Sequence, residues 1–231
     1  MQNEDVKGII HAHSTWSDGK ASLEDMVEGT IRLGYQYLGI SDHSQAAYYA
    51  NGLKPDRVKA QWDRIDILDE HYQDFQIFKG IEADILRDGS LDYEDEILAG
   101  FDFVIASIHS HFHLDPVKQT DRMIKALQSP FTTMLGHPTG RMLLVREGYS
   151  PDLPAIIDAA AEYGKIIEIN TNPKRLDLDW RHFTRATEKG VKFSLNPDAH
   201  SLENLGTIPL GVMMARKGGL TPENVMNTMN R

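Results

Sequence analysis

Residues 103–109 read Phe103-Val104-Ile105-Ala106-Ser107-Ile108-His109, a short apolar run rich in β-branched residues that closes on a histidine. A run this short and this apolar fits a strand covered on both faces, as strands of parallel sheets are. The same pattern recurs along the chain. Gly8-Ile9-Ile10 closes on His11, Tyr37-Leu38-Gly39-Ile40 closes on Ser41-Asp42-His43, and Phe75-Gln76-Ile77-Phe78 leads to Gly80-Ile81-Glu82. Thr133-Met134-Leu135 closes on Gly136-His137, Lys165-Ile166-Ile167-Glu168-Ile169 on Asn170, and Val191-Lys192-Phe193-Ser194-Leu195 on Asn196-Pro197-Asp198-Ala199-His200. Between these runs lie helix patterns with start and stop signals. Ser22 precedes Leu23, Met26, Val27 and Ile31, with Gly34 as the stop; Pro55, Pro116, Ser150-Pro151, Asp179 and Thr221-Pro222 open further helical segments. Strand–helix alternation of this kind predicts parallel strands joined by right-handed crossovers. Seven units predict a parallel α/β barrel, with an open doubly wound sheet as the alternative.

Composition narrows the function classes. The chain has 231 residues, no cysteine, 41% hydrophobic and 25% charged residues, which predicts a globular single domain over 1–231 and excludes disulfides, thiolate metal sites and cysteine nucleophiles. No apolar run reaches the roughly 20 residues a membrane helix needs. Met1-Gln2-Asn3-Glu4-Asp5 has no signal-peptide character, so a cytoplasmic location is expected. The net charge of −10 argues against gripping nucleic acid by a broad basic surface, although bound cations can reverse the local sign at a site.

In both candidate architectures the functional face lies beyond the carboxyl ends of the strands. His11 and His13 follow the first strand, His43 the second, Glu82 the third, His109 the fourth, His137 the fifth, and Asp198 and His200 the seventh. Asp18, in the loop Ser14–Gly19, can fold back over the first strand. One histidine at a strand end is ordinarily a hydrogen-bonded loop residue. The weight lies in the same placement on six strands, because unpaired buried charge is costly and metal ions remove that cost. Imidazole and carboxylate together suit zinc, manganese or iron.

His11-Ala12-His13, Asp18-Gly19, Ser41-Asp42-His43, Gly80-Ile81-Glu82, His109, Gly136-His137-Pro138 and Asp198-Ala199-His200 resemble the motifs of the PHP (polymerase and histidinol phosphatase) family. The chain is most similar to the carboxy-terminal PHP module of bacterial and archaeal family X DNA polymerases. Gly80–Ile85 with Asp88–Asp92, Gly136–Arg141, and Glu168–Pro173 with Arg175-Leu176 carry that closer likeness. The resemblance implies a distorted seven-stranded TIM-like barrel holding three divalent metal ions (zinc, manganese or iron). His11, His13, Glu82 and Asp198 would hold the first, Asp18, His43 and His200 the second, and Glu82, His109 and His137 the third, with Glu82 bridging. It also implies hydrolysis of phosphomonoesters or nucleic-acid phosphodiesters, with nucleotides, DNA 3′ ends or small phosphomonoesters as substrates. A 3′-5′ exonuclease or 3′-end-processing enzyme of DNA repair is the type expected; a histidinol-phosphatase-like small-molecule phosphatase and a non-catalytic, metal-stabilised regulatory module are the alternatives.

The resemblance thus implies hydrolysis in which divalent ions activate water and no protein nucleophile is needed, consistent with a chain that has neither a cysteine nor a Gly-x-Ser-x-Gly elbow. Around that centre His111, Arg141, Lys174 and Arg175 are candidate substrate contacts, Arg141 being equally suited to an ion pair. Asp42 is a candidate for orienting a ligating histidine or for capping a turn. Trp16 and the pair Tyr48-Tyr49 are candidates for stacking on a base or sugar, or for packing. His71 and His182 read as surface histidines.

Overall fold

A computed structural model describes residues 1–230. Seven strands, β1 (Gly8–Ala12), β2 (Tyr37–Ile40), β3 (Gln76–Asp84), β4 (Phe103–Ser107), β5 (Met134–Leu135), β6 (Ile166–Asn170) and β7 (Phe193–Asn196), lie side by side in sequence order. Every neighbouring pair is parallel. The sheet curls until its ends meet: Ala12 bridges to Ala199, His13 N–H donates to Ala199 O at 2.8 Å, and Ala199 N–H donates to His11 O at 3.2 Å. The strand order runs without reversal, so the architecture is a nearly closed α/β barrel and not an open doubly wound sheet.

Side chains alternate across each strand, and the two faces have separate cores. From β4, Val104, Ala106 and Ile108 join the large layer between strands and helices, whereas Phe103 and Ile105 join Ile10, Tyr37 and Met134 in a small cluster inside the barrel. Gly39 makes room for that cluster; a Cβ there would stand 2.7 Å from the Phe103 ring, and one on Gly80 would overlap the same ring. In β1 the alternation slips, because the register with β2 shifts between Ile9 and Ala12. Ile9 and Ala12 belong to the outer core and Ile10 to the inner one, and His11 follows Ile10 inward. Irregularities of this kind commonly re-aim side chains beside functional sites.

The outer layer contains α1 (Leu23–Arg32), α2 (Pro55–His71), α3 (Asp95–Leu98), α4 (Pro116–Gln128), α5 (Leu153–Glu162), α6 (Phe183–Glu188), α7 (Leu202–Leu205) and α8 (Ile208–Lys217). Ser22 caps α1 through a 3.0 Å bond from Asp25 N–H. Pro55 and Pro116 sit in the first turns of α2 and α4. Two sequence expectations are corrected. The segment expected to open at Ser150-Pro151 becomes helical only at Leu153, capped by Asp152, whose carboxylate accepts from Ala155 N–H at 3.1 Å. Thr221-Pro222 opens only a single 3₁₀ turn, Pro222–Asn224, and the last α-helix is α8. The terminal segment is drawn under the barrel instead. Asn227 is buried there, donating to Gly8 O (3.0 Å) and Leu195 O (2.7 Å) and accepting from Leu195 N–H (3.0 Å), which ties β1 to β7 at the end opposite the strand-end histidines.

Candidate metal centre

All nine strand-end and loop residues singled out as ligands converge at one mouth of the barrel. Glu82, buried at the end of β3, is the hub. Its Oε2 lies 3.4 Å from His11 Nε2, 3.5 Å from His13 Nε2 and 3.1 Å from His43 Nδ1. Its Oε1 lies 3.3 Å from His109 Nε2 and 2.8 Å from His137 Nε2. Asp198 Oδ1 stands 3.6 Å from His11 Nε2 and 3.3 Å from His13 Nε2. Towards solvent, Asp18 Oδ1 faces His13 (4.0 Å), His43 (3.7 Å) and His200 (3.4 Å). Eight of the nine residues fall into three overlapping groups, His11–His13–Glu82–Asp198, His13–Asp18–His43–His200 and His43–Glu82–His109, each spanning no more than 4.8 Å; His137, expected beside Glu82 and His109, falls in none of them, and His43 stands in its place.

The spacing suits cations. Two ligands each about 2.1 Å from one ion at a tetrahedral angle stand roughly 3.4 Å apart. Most of these separations match that value and exceed good hydrogen bonds. His11 Nε2, both ring nitrogens of His13, His43 Nδ1 and Glu82 Oε2 are buried with no hydrogen-bond partner. Orphaned buried polar atoms are rare in folded proteins, and here they converge on common points. Two of the nine, His137 (φ 23°) and Asp198 (φ 51°), also sit in the left-handed backbone region. For residues other than glycine that conformation is strained, and such strain gathers at functional sites.

Several groups orient these rings from behind, and sequence reading had given them no role. Glu168 accepts from His11 Nδ1 (2.6 Å), Asn196 Nδ2 (2.9 Å), His137 N–H (2.7 Å) and Asn170 Nδ2 (3.2 Å). Asp84 holds His109 Nδ1 at 2.5 Å, and the Asp198 carbonyl holds His200 Nδ1 at 3.0 Å. A ligating imidazole typically donates its second N–H to such an acceptor, which fixes tautomer and aim. The signal that could have found Glu168 and Asp84 is their parity, since each is a carboxylate at an inward position of a buried strand. Asp42 takes the turn-capping role: it accepts from Ser14 and Ser17 of the loop carrying Asp18, and from Gln61, but from no histidine.

The cluster's charge balance is unusual. Burial works against ionising Glu82, yet His109, His11 and His43 hold its carboxyl well below the usual range. Burial likewise opposes a charged His109 ring, but Glu82 and Asp84 raise it to about 10. His200 is raised to about 9 against burial, chiefly by Asp18 and Asp198, and Asp18 is lowered to about 2 against burial, chiefly by His200 and His43. Burial lowers His13 and His43, with neighbouring histidines adding to the effect. Without cations, then, the carboxylates are charged and only some of the rings carry the compensating protons.

The substrate candidates divide. Arg175 leans on the cluster, its Nε 3.3 Å from Asp198 Oδ2. Arg141 is spent on protein partners, donating to the Arg175 carbonyl (2.8 Å) and the Leu176 carbonyl and pairing with Asp179 (3.5 Å). Lys174 and His111 have exposed side chains on neighbouring loops. Trp16 is half-buried against the main core, whereas Tyr48 and Tyr49 stand exposed.

A family profile described as the PHP domain matches residues 10–172. The DNA polymerase/3'-5' exonuclease PolX of Bacillus subtilis is 45% identical over 222 residues, covering 96% of this chain and 39% of that protein. The chain thus spans well under half of that relative's length. A probable phosphatase of Shewanella oneidensis is 35% identical over 208 residues, 85% of this chain and 77% of the relative. Among solved structures, the histidinol phosphate phosphatase of Lactococcus lactis, complexed with zinc, L-histidinol and phosphate, superposes with a TM-score of 0.69 at 20% identity, covering 93% of this chain and 94% of that one. The class that follows is that of the metal-dependent phosphoesterases. Within it, the chain belongs to the PHP family.

Proposed function

We propose that residues 1–231 form one PHP domain that hydrolyses phosphoesters at a centre of three divalent cations held by His11, His13, Asp18, His43, Glu82, His109, His137, Asp198 and His200. The observation that carries this reading is Glu82. Its two oxygens face five imidazole nitrogens at 2.8–3.5 Å, an arrangement suited to a carboxylate shared between ions. His13 and His43 each belong to two of the three atom groups, so those groups favour a more shared partition than sequence alone implied. Bound there, divalent ions supply Lewis acidity, which acidifies water and draws charge from phosphoryl oxygens.

The chain's own residues supply the rest. Glu168 and Asp84 fix the tautomers of His11 and His109, leaving Nε2 of each ring to face inward. Arg175 brings a planar cation to the edge of the cluster, where its fork fits a phosphate. The barrel floor of Ile10, Tyr37, Phe103, Ile105 and Met134 seals the site from below.

For the substrate we propose the 3′ end of single-stranded DNA, supported by 45% identity to a protein named as a 3'-5' exonuclease. Small phosphomonoesters are the second reading, supported by the probable phosphatases among the relatives. The test is a panel of 5′-labelled single-stranded DNA, thymidine 5′-phosphate and histidinol phosphate, assayed with manganese or zinc and again after chelation. Stepwise shortening of the DNA that chelation abolishes is the expected result. Release of phosphate from the monoesters alone selects the second reading. Turnover that survives thorough chelation contradicts both, and no turnover on any substrate leaves a regulatory module.

A further inference from the structure

The loop between β2 and α2 is pinned along its length. Ser44 pairs with Leu53, Leu53 N–H donates to His43 O at 2.8 Å, and Ala46 N–H donates to Asp92 at 2.8 Å. Ala47, Ala50 and Leu53 are buried, and Gly52 packs so close to Ser44 O that a Cβ would not fit. Asn51, in the left-handed region at φ 54°, donates its side-chain amide to Trp16 O (3.1 Å) and Ser17 O (3.2 Å), fastening this loop to the one carrying Asp18.

On this fixed frame Tyr48 is 84% exposed and Tyr49 is 70% exposed. Tyr49 lies beside the cluster, its ring centroid 6.2 Å from that of His43 at an interplanar angle of 56°. Folding gains little from two adjacent aromatic faces left in water. A rigid, half-wet ring with two side-chain torsions is, however, an inexpensive surface on which to stack a flat ligand.

We propose that Tyr49, flanked by Tyr48, is a stacking platform that selects phosphoesters carrying a flat heteroaromatic ring over aliphatic ones. The inference rests on the phosphoester reading of the metal centre and sharpens it. The chemistry recognised is a planar ring a short distance from the phosphate, as in a nucleotide or an imidazole-bearing alcohol phosphate. Stacking of one base on one aromatic side chain corresponds to about tenfold or more in affinity.

The test uses the manganese-loaded protein and two variants, Tyr49→Ala and Tyr49→Phe. Calorimetry compares the affinity for the non-hydrolysable phosphonate analogue of thymidine 5′-phosphate with that for inorganic phosphate. Kinetics compare thymidine 5′-phosphate, histidinol phosphate and glycerol 3-phosphate. The native protein is expected to prefer the nucleotide to phosphate by about tenfold, Tyr49→Phe to keep that preference and Tyr49→Ala to lose it. In the kinetic arm, Tyr49→Ala is expected to raise KM for ring-bearing substrates more than it changes kcat, so their advantage in kcat/KM over glycerol 3-phosphate falls about tenfold. Whether thymidine 5′-phosphate or histidinol phosphate suffers the larger loss identifies the ring as nucleobase or imidazole. A native protein without the preference, or a Tyr49→Ala variant that keeps it, overturns the proposal. If none of these monoesters is hydrolysed and single-stranded DNA is not shortened, but Tyr49→Ala still abolishes the binding preference, this inference stands and the hydrolytic reading falls.

Discussion

The two ends of the barrel interior are built from one sheet on opposite principles. At the floor, Ile10, Tyr37, Phe103, Ile105 and Met134 form a closed apolar cluster, and Gly39 and Gly80 are hollowed to fit the Phe103 ring. Nearer the mouth, β1, β3, β6 and β7 present His11, Glu82, Glu168 and Asn196, all buried. The floor's polar accounts are closed, with Asn227 satisfying the backbone of β1 and β7. At the mouth, several ring nitrogens and one Glu82 oxygen have no partner. The floor therefore secures stability by itself, whereas the mouth is finished only when cations occupy it.

The largest break in this comparison is expected at the floor. Phe103→Ala leaves a cavity that two glycines and neighbouring strands cannot fill, and should cost about 3–5 kcal/mol of stability. Chemical denaturation of the metal-loaded protein measures it. A cost under about 1 kcal/mol would mean that the floor is not tightly packed.

Glu168→Gln should produce the next largest effect, at the mouth. Its carboxylate receives four donors, so an amide turned either way points its NH₂ at one pair of them. Metal affinity is expected to fall about 10- to 100-fold, as is usual when a ligand's hydrogen-bond acceptor is removed. Titration with a competing chelator measures this. An unchanged affinity would separate Glu168 from the centre.

A smaller but diagnostic effect is the proton balance. In the ion-free protein His109 lies at about 10 and His200 at about 9, against an ordinary 6.5. Burial opposes both shifts, and the facing carboxylates outweigh it. Raised folded values mean that these protons stabilise the ion-free fold fully below pH 6.5, and that this stabilisation is lost as pH rises through about 9 and 10. Ligation requires neutral rings, so metal uptake at pH 8 must expel protons. The enthalpy of uptake should therefore change with the ionisation enthalpy of the buffer. Identical enthalpies in phosphate-free buffers of different ionisation enthalpy would show that the mouth is not proton-loaded.

Much of this contrast was legible in the sequence, and for a physical reason. A parallel strand must be apolar on both faces until it reaches the mouth, so the residue type changes where the strand ends, as at Ile108-His109 and Leu135-Gly136-His137. That rule gave the seven strands and brought the nine candidate ligands to one face. What stayed hidden depends on register and on contacts distant in sequence. The slip in β1 that turns His11 inward after Ile10 leaves no local mark. Glu168 and Asp84 gain meaning only when β6 and β3 are placed beside His11 and His109. From sequence Arg141 suits a phosphate or an ion pair, and its commitment to the Arg175 and Leu176 carbonyls depends on how two loops cross. Thr221-Pro222 carries a sound helix-start signal, overridden because Asn227 is needed to join β1 and β7.

The central claim, that one carboxylate organises a shared metal centre, is tested most directly by metal content per chain in Glu82→Gln beside His43→Ala. Gln preserves the shape of Glu82 but removes the charge that faces five imidazoles, and with it the screening of repulsion between neighbouring cations. Elemental analysis of folded protein, paired with the rate of phosphoester hydrolysis, should show Glu82→Gln losing more than one ion per chain together with nearly all activity. His43→Ala should lose fewer ions. Glu82→Gln retaining native metal content and rate would contradict the account.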